Sequence, residues 1–374
     1  MTSNSPAAPI AFLDLAALHA PLREDLDKLW FEVVRDSAFI GGERVAQFES
    51  DWAHYVGATH AIGVANGTDA LELVMAGLDI GPGDEVILPA NTFVATAEAV
   101  VTCGARPVFV DVDQGSLLVT ADHIEPAITE RTRAVIVVHL YGAIPHMAPI
   151  QALCEAHDMH LIEDAAQAHG ATHHGQSAGT FGIAGTFSFY PGKNLGALGD
   201  GGAIVTGDDG LAEKMRVLAN HGRGHHHLHV ESGRNSRLDG LQAGALALKL
   251  QHLDHWNDSR RTVNGMYRSL FAGRAVSMLE VPEGTTAVHH LEVVRVEDRS
   301  KVQAALDAAS IGWGVHYAAP CHRQPAFEQY APSYDMPVVE QAAAQQLSLP
   351  MHPTLTAPEV ERVASVVIDA VERD

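Results

Sequence analysis

Between residues 61 and 164, five short apolar runs recur, each separated from the next by a stretch with helical spacing. They cover residues 61–64, 85–89, 106–110, 134–139 and 160–164. Runs this short and this continuously apolar read as strands buried on both faces, and the helical stretches between them are the crossovers that parallel pairing requires. This alternation leaves few architectures open. The chain is expected to be α/β, with a mostly parallel central sheet covered by helices on both sides. In such sheets sites gather at the carboxyl ends of the strands, where the sequence sets Gly67-Thr68, Asn91-Thr92-Phe93, His139-Leu140-Tyr141-Gly142 and Asp164.

The stretch after the fifth run changes character. Thr186-Phe187-Ser188-Phe189-Tyr190 reads as an aromatic strand, Pro191-Gly192 breaks it, and Lys193 sits on the turn before a return strand within residues 199–206. A single lysine hemmed in by aromatic and glycine residues is placed for desolvation. Burial lowers its basicity and exposes the neutral amine that Schiff-base chemistry needs. Asp164 closes the fifth run, and pyridoxal phosphate requires a carboxylate opposite its ring nitrogen. Side chains alternate along a strand, so Glu163 points the other way and is read as structural. Residues 61–73 read as strand, small-residue turn and helix, with Thr68 and Asp69 near the cap. Free amides and a hydroxyl at a helix start make a seat for phosphate.

Residues 238–256 read as one long helix leading into a smaller α+β region. There, residues 286–296 and 312–317 read as strands, and 301–309 and 358–371 as helices. The expected division is a large domain over residues 1–245, including an N-terminal segment, and a small C-terminal domain over residues 246–374.

Composition excludes some classes. Of 374 residues, 47% are hydrophobic and 19% charged, and no apolar run approaches the roughly 20 residues of a membrane span. Cys103, Cys154 and Cys321 are few and far apart, and the N-terminus lacks a secretory pattern, so a cytoplasmic protein with reduced thiols is expected. A formal charge of −22 disfavours nucleic acid but leaves room for a nucleotide held by a few local cations. The run His225-His226-His227-Leu228-His229 has irregular spacing and no nearby cysteine, and no metal site is expected there.

Taken together, the segments around Gly67-Thr68, Asp164 and Lys193 resemble the DegT/DnrJ/StrS family of pyridoxal-phosphate-dependent nucleotide-sugar aminotransferases. The resemblance extends through residues 10–15, 81–87, 91–96, Asn235-Ser236-Arg237-Leu238-Asp239 and residues 347–352. It implies an aspartate-aminotransferase-like (fold type I) large domain and a cofactor that cycles between pyridoxal 5'-phosphate and pyridoxamine 5'-phosphate. Lys193 and Asp164 would be catalytic, with the lysine bonded to the cofactor aldehyde and the aspartate facing the ring nitrogen. Phe93 would stack on the ring, Gln167 would contact its phenolic oxygen, and Gly67, Thr68 and Ser188 would hold the phosphate. Asn235 would reach that phosphate from the partner subunit, making a homodimer with shared active sites. Residues 314–326 resemble the family's segment near the nucleotide, with Ala318 in place of a usual proline, so Tyr317 and His322 are candidates for sugar or diphosphate contact; Arg223 and Arg237, from other loops, could supply charge to the substrate. The pattern looks most like the branch aminating C-3 of dTDP-linked 3-keto-6-deoxyhexoses with L-glutamate as donor. Amination at C-4, a UDP-linked 3-keto sugar, or a catalytically silent regulatory homologue are the alternatives.

Overall fold

The computed structural model describes residues 8–224, 226 and 228–373. Seven strands form the main sheet: β1 (His60–Val64), β2 (Glu85–Pro89), β3 (Arg106–Val110), β4 (Thr132–Val138), β5 (His160–Asp164), β6 (Ala184–Ser188) and β7 (Gly202–Thr206). Their spatial order is β1-β7-β6-β5-β4-β2-β3. All neighbours pair in parallel except β7, which runs antiparallel to both β1 and β6. The expected α/β class with a mostly parallel sheet is what forms.

The strand pleat explains why these runs lack polar alternation. Ile62, Val86, Leu88 and Ile136 enter one core, whereas Ala61, Ile87, Val135 and Val137 enter the other, on the opposite face. Helices Gly67–Gly77, Val94–Thr102 and Asp209–Ala219 cover the first face. Helices Glu43–Val56, Met147–Ala156 and Gly240–Leu250 cover the second, anchored by Phe48 and the fully buried Trp52. Burying each large apolar side chain here contributes about 1.5–3 kcal/mol.

A second sheet has its own core. Strands β8 (Ser277–Met278), β9 (Glu292–Arg295) and β10 (Gln346–Leu349) pair antiparallel. Val294, Leu347 and Leu349 pack there with Val360, Val363 and Val367 of helix Ala357–Glu372. This region departs from expectation in two ways. Only residues 292–295 of the anticipated 286–296 strand join the small sheet, because the amides of Val288 and His290 bond instead to the carbonyls of Gly142 and Tyr141. The 312–317 segment is not a strand either. Its backbone pairs with β10 at Gly314 and Ser348, and beyond that His316 and Tyr317 meet β10 through the side chains of Ser348 and Gln346.

The long helix expected over residues 238–256 is two, Gly240–Leu250 and Leu253–Phe271. The break is a tight turn in which the amide of His252 bonds to the carbonyl of Lys249 at 3.0 Å. Apolar spacing continues across it, with Leu246 and Leu253 in one core, so spacing alone carried no sign of the break.

Candidate active site

A cavity of about 580 Å³ opens where β1, β4, β5 and β6 end, roofed by residues from the N-terminal segment and from the second sheet's region. Its wall contains Gly67, Thr68, Phe93, Asp164, Gln167 and Ser188, together with Lys193 and Tyr317. Eight residues named from the sequence therefore meet in one place.

Helix Gly67–Gly77 begins directly after β1. Its N-cap is Asn66, whose side chain accepts from the amide of Asp69 at 2.8 Å. The first amides of a helix have no intrahelical acceptor, so those of Gly67 and Thr68 are left for a ligand at the cavity wall. Gly67 is required by packing: a Cβ there would lie 2.7 Å from Cβ of Ser188.

Asp164 ends β5 with only 6% of its surface exposed. Thr96 Oγ1 donates to its Oδ2 at 2.8 Å, and the amide of Ala166 donates to Oδ1 at 3.2 Å. Because the single hydroxyl hydrogen of Thr96 goes to the carboxylate, Thr92 must be the donor in the 2.7 Å contact between the two threonines. Glu163 points the opposite way, as strand alternation demands. It accepts from the amides of Gly179, Phe181 and Gly182 at 2.6–2.7 Å and lies 2.7 Å from His139 Nε2.

Lys193 sits on its turn with its amide bonded to the Tyr190 carbonyl at 2.9 Å. Burial lowers the lysine's pKa from 10.5 to about 8, and the charge of Asp164 partly offsets that. Gln167 is clamped at both ends: Oε1 accepts from the Tyr141 amide at 2.7 Å, and Nε2 donates to the Tyr317 hydroxyl at 3.1 Å. The Phe93 ring stands 5.8 Å from that of Tyr317, and the residue is 52% exposed, an apolar ring on the cavity wall.

Three candidates lie elsewhere. His322 does not face the cavity. Its short helical turn, Cys321–Arg323, packs against Phe109 of β3, and its Nε2 lies 3.1 Å from Glu340, which also receives Arg323. Arg237 donates to Asn220 at 3.2 Å, and exposed Asn235 pairs through its backbone with Asn220, both outside this chain's cavity. Of the histidine run, His225 and His227 lie outside the described residues, and His229 bonds the His221 carbonyl at 2.7 Å.

Sequence reading missed Thr96, Asn66, His290 and His316. The spacing of Thr92 and Thr96, four residues apart at a helix start, was the available signal for the first. Nothing local marked His290, which reaches the wall from the second sheet's region.

An amine made half-neutral near pH 8, a hydrogen-bonded carboxylate across the same cavity and free amides at a helix start match what pyridoxal phosphate needs at its aldehyde, ring nitrogen and phosphate. On this sheet topology they mark a pyridoxal-phosphate-dependent aminotransferase of fold type I. Sequence comparison is narrower still. The chain belongs to the DegT/DnrJ/EryC1/StrS aminotransferase family, whose profile matches residues 22–368. It is 44% identical to the UDP-N-acetyl-3-dehydro-alpha-D-glucosamine 3-aminotransferase of Acidithiobacillus ferrooxidans, over 98% of both chains. It is 42% identical to the dTDP-3-amino-3,4,6-trideoxy-alpha-D-glucose transaminase of Streptomyces venezuelae, over 100% of this chain and 99% of that one. The crystal structure of S. venezuelae DesV in complex with a ketimine intermediate superposes with a TM-score of 0.95, covering 99% of this chain and 100% of that one at 42% identity. The protein is thus a sugar aminotransferase acting on nucleotide-linked keto sugars. Among the described residues no helix is long and apolar enough to cross a membrane.

Proposed function

We propose that this enzyme transfers nitrogen from L-glutamate to C-3 of a dTDP-linked 3-keto-6-deoxyhexose. The observation that carries the transamination chemistry is the lowered basicity of Lys193 in a cavity that also holds Asp164. Support for C-3 comes from what the two relatives share, since both names place nitrogen at that carbon while their nucleotides differ.

When bound, the cofactor supplies an aldehyde that takes up nitrogen and a protonated pyridine ring that acts as an electron sink. Lys193 would hold the cofactor through its Nζ, and its amine would serve as the base and acid that carries the proton leaving the donor's α-carbon. Asp164, oriented by Thr96, would face the ring nitrogen. Of the residues lining the cavity, Phe93 would lie against the ring, Gln167 would reach the phenolic oxygen, and Gly67, Thr68 and Ser188 would hold the phosphate. Tyr317 lines the same cavity and would contact the sugar.

The working unit in this reading is a homodimer. Helix Arg23–Asp36 buries Leu26, Leu29 and Val33 on one side but exposes Trp30, Phe31 and Val34, with Phe39 and Ile40 exposed just beyond. We take a second copy to cover that face, with the partner's Asn235 reaching the cavity of the first as the family resemblance implies. Mixing inactive Lys193→Ala with Asn235→Ala tests this, because hybrid dimers then contain one intact site. No recovered activity on mixing would count against shared sites.

Product analysis by NMR after supplying dTDP-linked and UDP-linked 3-keto sugars with glutamate tests the substrate. Amination at C-4 alone would remove the C-3 assignment. A UDP-linked substrate is the second reading, favoured by the identity to the Acidithiobacillus enzyme, and exclusive turnover of the UDP sugar would establish it.

A further inference from the structure

Gln167 and Tyr317 are two links in a closed ring of hydrogen bonds. The amide of Tyr141 donates to Gln167 Oε1 at 2.7 Å, and Gln167 Nε2 donates to the Tyr317 hydroxyl at 3.1 Å. The Tyr317 carbonyl accepts from Gln346 Nε2 at 2.6 Å. Gln346 Oε1 closes the ring by accepting from the Tyr141 hydroxyl at 3.2 Å, a hydrogen shared with the His316 carbonyl at 2.6 Å. Every direction in this ring is fixed. A backbone N–H can only donate, so Gln167 turns its oxygen to Tyr141 and its nitrogen to Tyr317. An amide nitrogen does not accept, so the Tyr317 hydroxyl is the acceptor there and its own hydrogen goes elsewhere.

Among the described residues no protein group accepts that hydrogen, and the second hydrogen on Gln167 Nε2 is likewise unclaimed. Both residues line the cavity that holds Lys193. Burial, followed by the neighbouring Tyr141, raises the Tyr317 pKa, so the phenol keeps its hydrogen and stays a donor. The cavity thus presents two hydrogens side by side, on donors 3.1 Å apart. Donors that close can both reach a single oxygen at ordinary hydrogen-bond length, and such a pair suits an oxygen carrying negative charge. The ring of Phe93, which would lie against the cofactor, stands 5.8 Å from that of Tyr317.

We infer that the Tyr317 hydroxyl is a second donor, beside Gln167, to the cofactor's phenolic oxygen, and that Gln346 is the positioning residue that holds Tyr317 there. This rests on the cofactor reading above. The sugar contact proposed for Tyr317 then falls to its ring and not to its hydroxyl. Gln346 opens β10, is 1% exposed and does not line the cavity, so its side chain acts through Tyr317 and Tyr141. With the cofactor held by Lys193, two donors stabilise the phenolic oxygen as an anion. They thereby favour loss of the proton that this oxygen shares with Lys193 Nζ. The titratable groups around the hydroxyl are Tyr141 after β4, Asp164 ending β5 and Cys321, with His316 beside it and Lys193 and His290 in the cavity wall.

The test is an absorbance titration of enzyme loaded with pyridoxal phosphate, before any substrate is added. It compares wild type, Tyr317→Phe, Gln346→Met and the double variant. Proton loss at Lys193 Nζ changes the absorbance, so the pH midpoint reads the donors without turnover. In Tyr317→Phe the midpoint should rise by about half a pH unit or more, through loss of one donor to the anion. Gln346→Met should raise it too, yet add nothing in the Tyr317→Phe background, because it acts through the missing hydroxyl. Tyr141→Phe removes the donor to Gln346 Oε1 and should also raise the midpoint, which decides the arm if Gln346→Met does not fold. A residue that only packs would lower the melting temperature and leave the midpoint alone. An unchanged midpoint in Tyr317→Phe overturns the donor assignment, and a raised KM for the keto sugar alone would make the hydroxyl a sugar contact instead. No shift in Gln346→Met, or one that persists undiminished in the double variant, overturns its role. If wild type gains no lysine-linked absorbance, the cofactor reading fails and takes this assignment with it. If the absorbance forms but no keto sugar is aminated, the substrate reading alone fails, and the midpoint still decides the role of Tyr317.

Discussion

Thr96 Oγ1 donates to Asp164 Oδ2 across 2.8 Å, joining the start of one helix to the end of the neighbouring region's strand β5. Both residues are buried, so water cannot replace the hydroxyl if it is removed. A hydrogen bond to a charged group contributes about 1.5–3 kcal/mol. Thr96→Val keeps the shape and loses the donor. It should weaken cofactor affinity roughly ten-fold or more, measured by equilibrium dialysis, while Thr96→Ser stays near wild type. Equal affinity in the valine variant would mean that Asp164 is oriented by something else.

The lowered pKa of Lys193 makes a prediction about pH. A lysine at its ordinary value of 10.5 would gain reactivity toward aldehydes steadily up to that pH. Here the neutral fraction rises through about pH 8 and then levels off. The rate at which cofactor-free protein takes up pyridoxal phosphate should follow that curve, and Lys193→Ala should abolish the lysine-linked absorbance. Replacing Asp164 with Asn removes a charge that raises the lysine's pKa, so the midpoint should move lower. A midpoint that stays near 10 would show that burial does not tune this amine.

The parts of this fold legible in the sequence were those with a local cause. A strand buried on both faces has consecutive rather than alternating apolar positions, which is why Val86-Ile87-Leu88 and Leu161-Ile162 stood out. Lys193 and Asp164 were legible because few chemistries ask for an amine at a turn and an acid at a strand end. His322 was misread because its position in the 314–326 segment says nothing about its rotamer, and Glu340 draws it away from the cavity. His290 was illegible for a related reason. Its Nδ1 meets Asn194 Oδ1, 96 residues away in the chain, a contact that exists only once two regions have docked. The 312–317 segment failed because its pattern suits a strand but its backbone pairs only piecemeal, Gly312 with Ile10 and Gly314 with Ser348, with side-chain contacts beyond.

Gly67 tests how closely the phosphate seat is built. An added Cβ would come within 2.7 Å of Ser188 Cβ and 3.2 Å of its Cα, so helix and strand must separate to admit it. Overpacking of this kind costs about 1–3 kcal/mol. Gly67→Ala should lower cofactor affinity by about ten-fold and the melting temperature by a few degrees. Gly207 is the control, because a Cβ there meets nothing within 4 Å and Gly207→Ala should change neither. Similar affinities for the two variants would show that the helix start tolerates displacement.

Glu292 carries a prediction about stability that is separate from the chemistry. It lies on β9, 3% exposed, accepting from Asn264 Nδ2 at 2.8 Å. Burial raises its pKa from 4.5 to about 7, against the opposing effects of Asn264 and Arg268. The folded protein therefore holds a proton that the unfolded chain releases between those two values. Stability from this group is present below about pH 4.5 and is lost as pH rises toward 7 and beyond. Glu292→Gln keeps an acceptor for Asn264 and has no charge to bury. It should be more stable than wild type at pH 8, by at most about 3 kcal/mol, and lose that advantage near pH 4.5. Urea midpoints of the two proteins, measured across this range, isolate the single group because every other titration is common to both. Since Glu292 does not line the cavity, kcat should be unaltered at every pH. A constant stability difference between the two proteins from pH 4.5 to 8 would show that this carboxyl group is ionised in the fold and that β9 supports a buried charge.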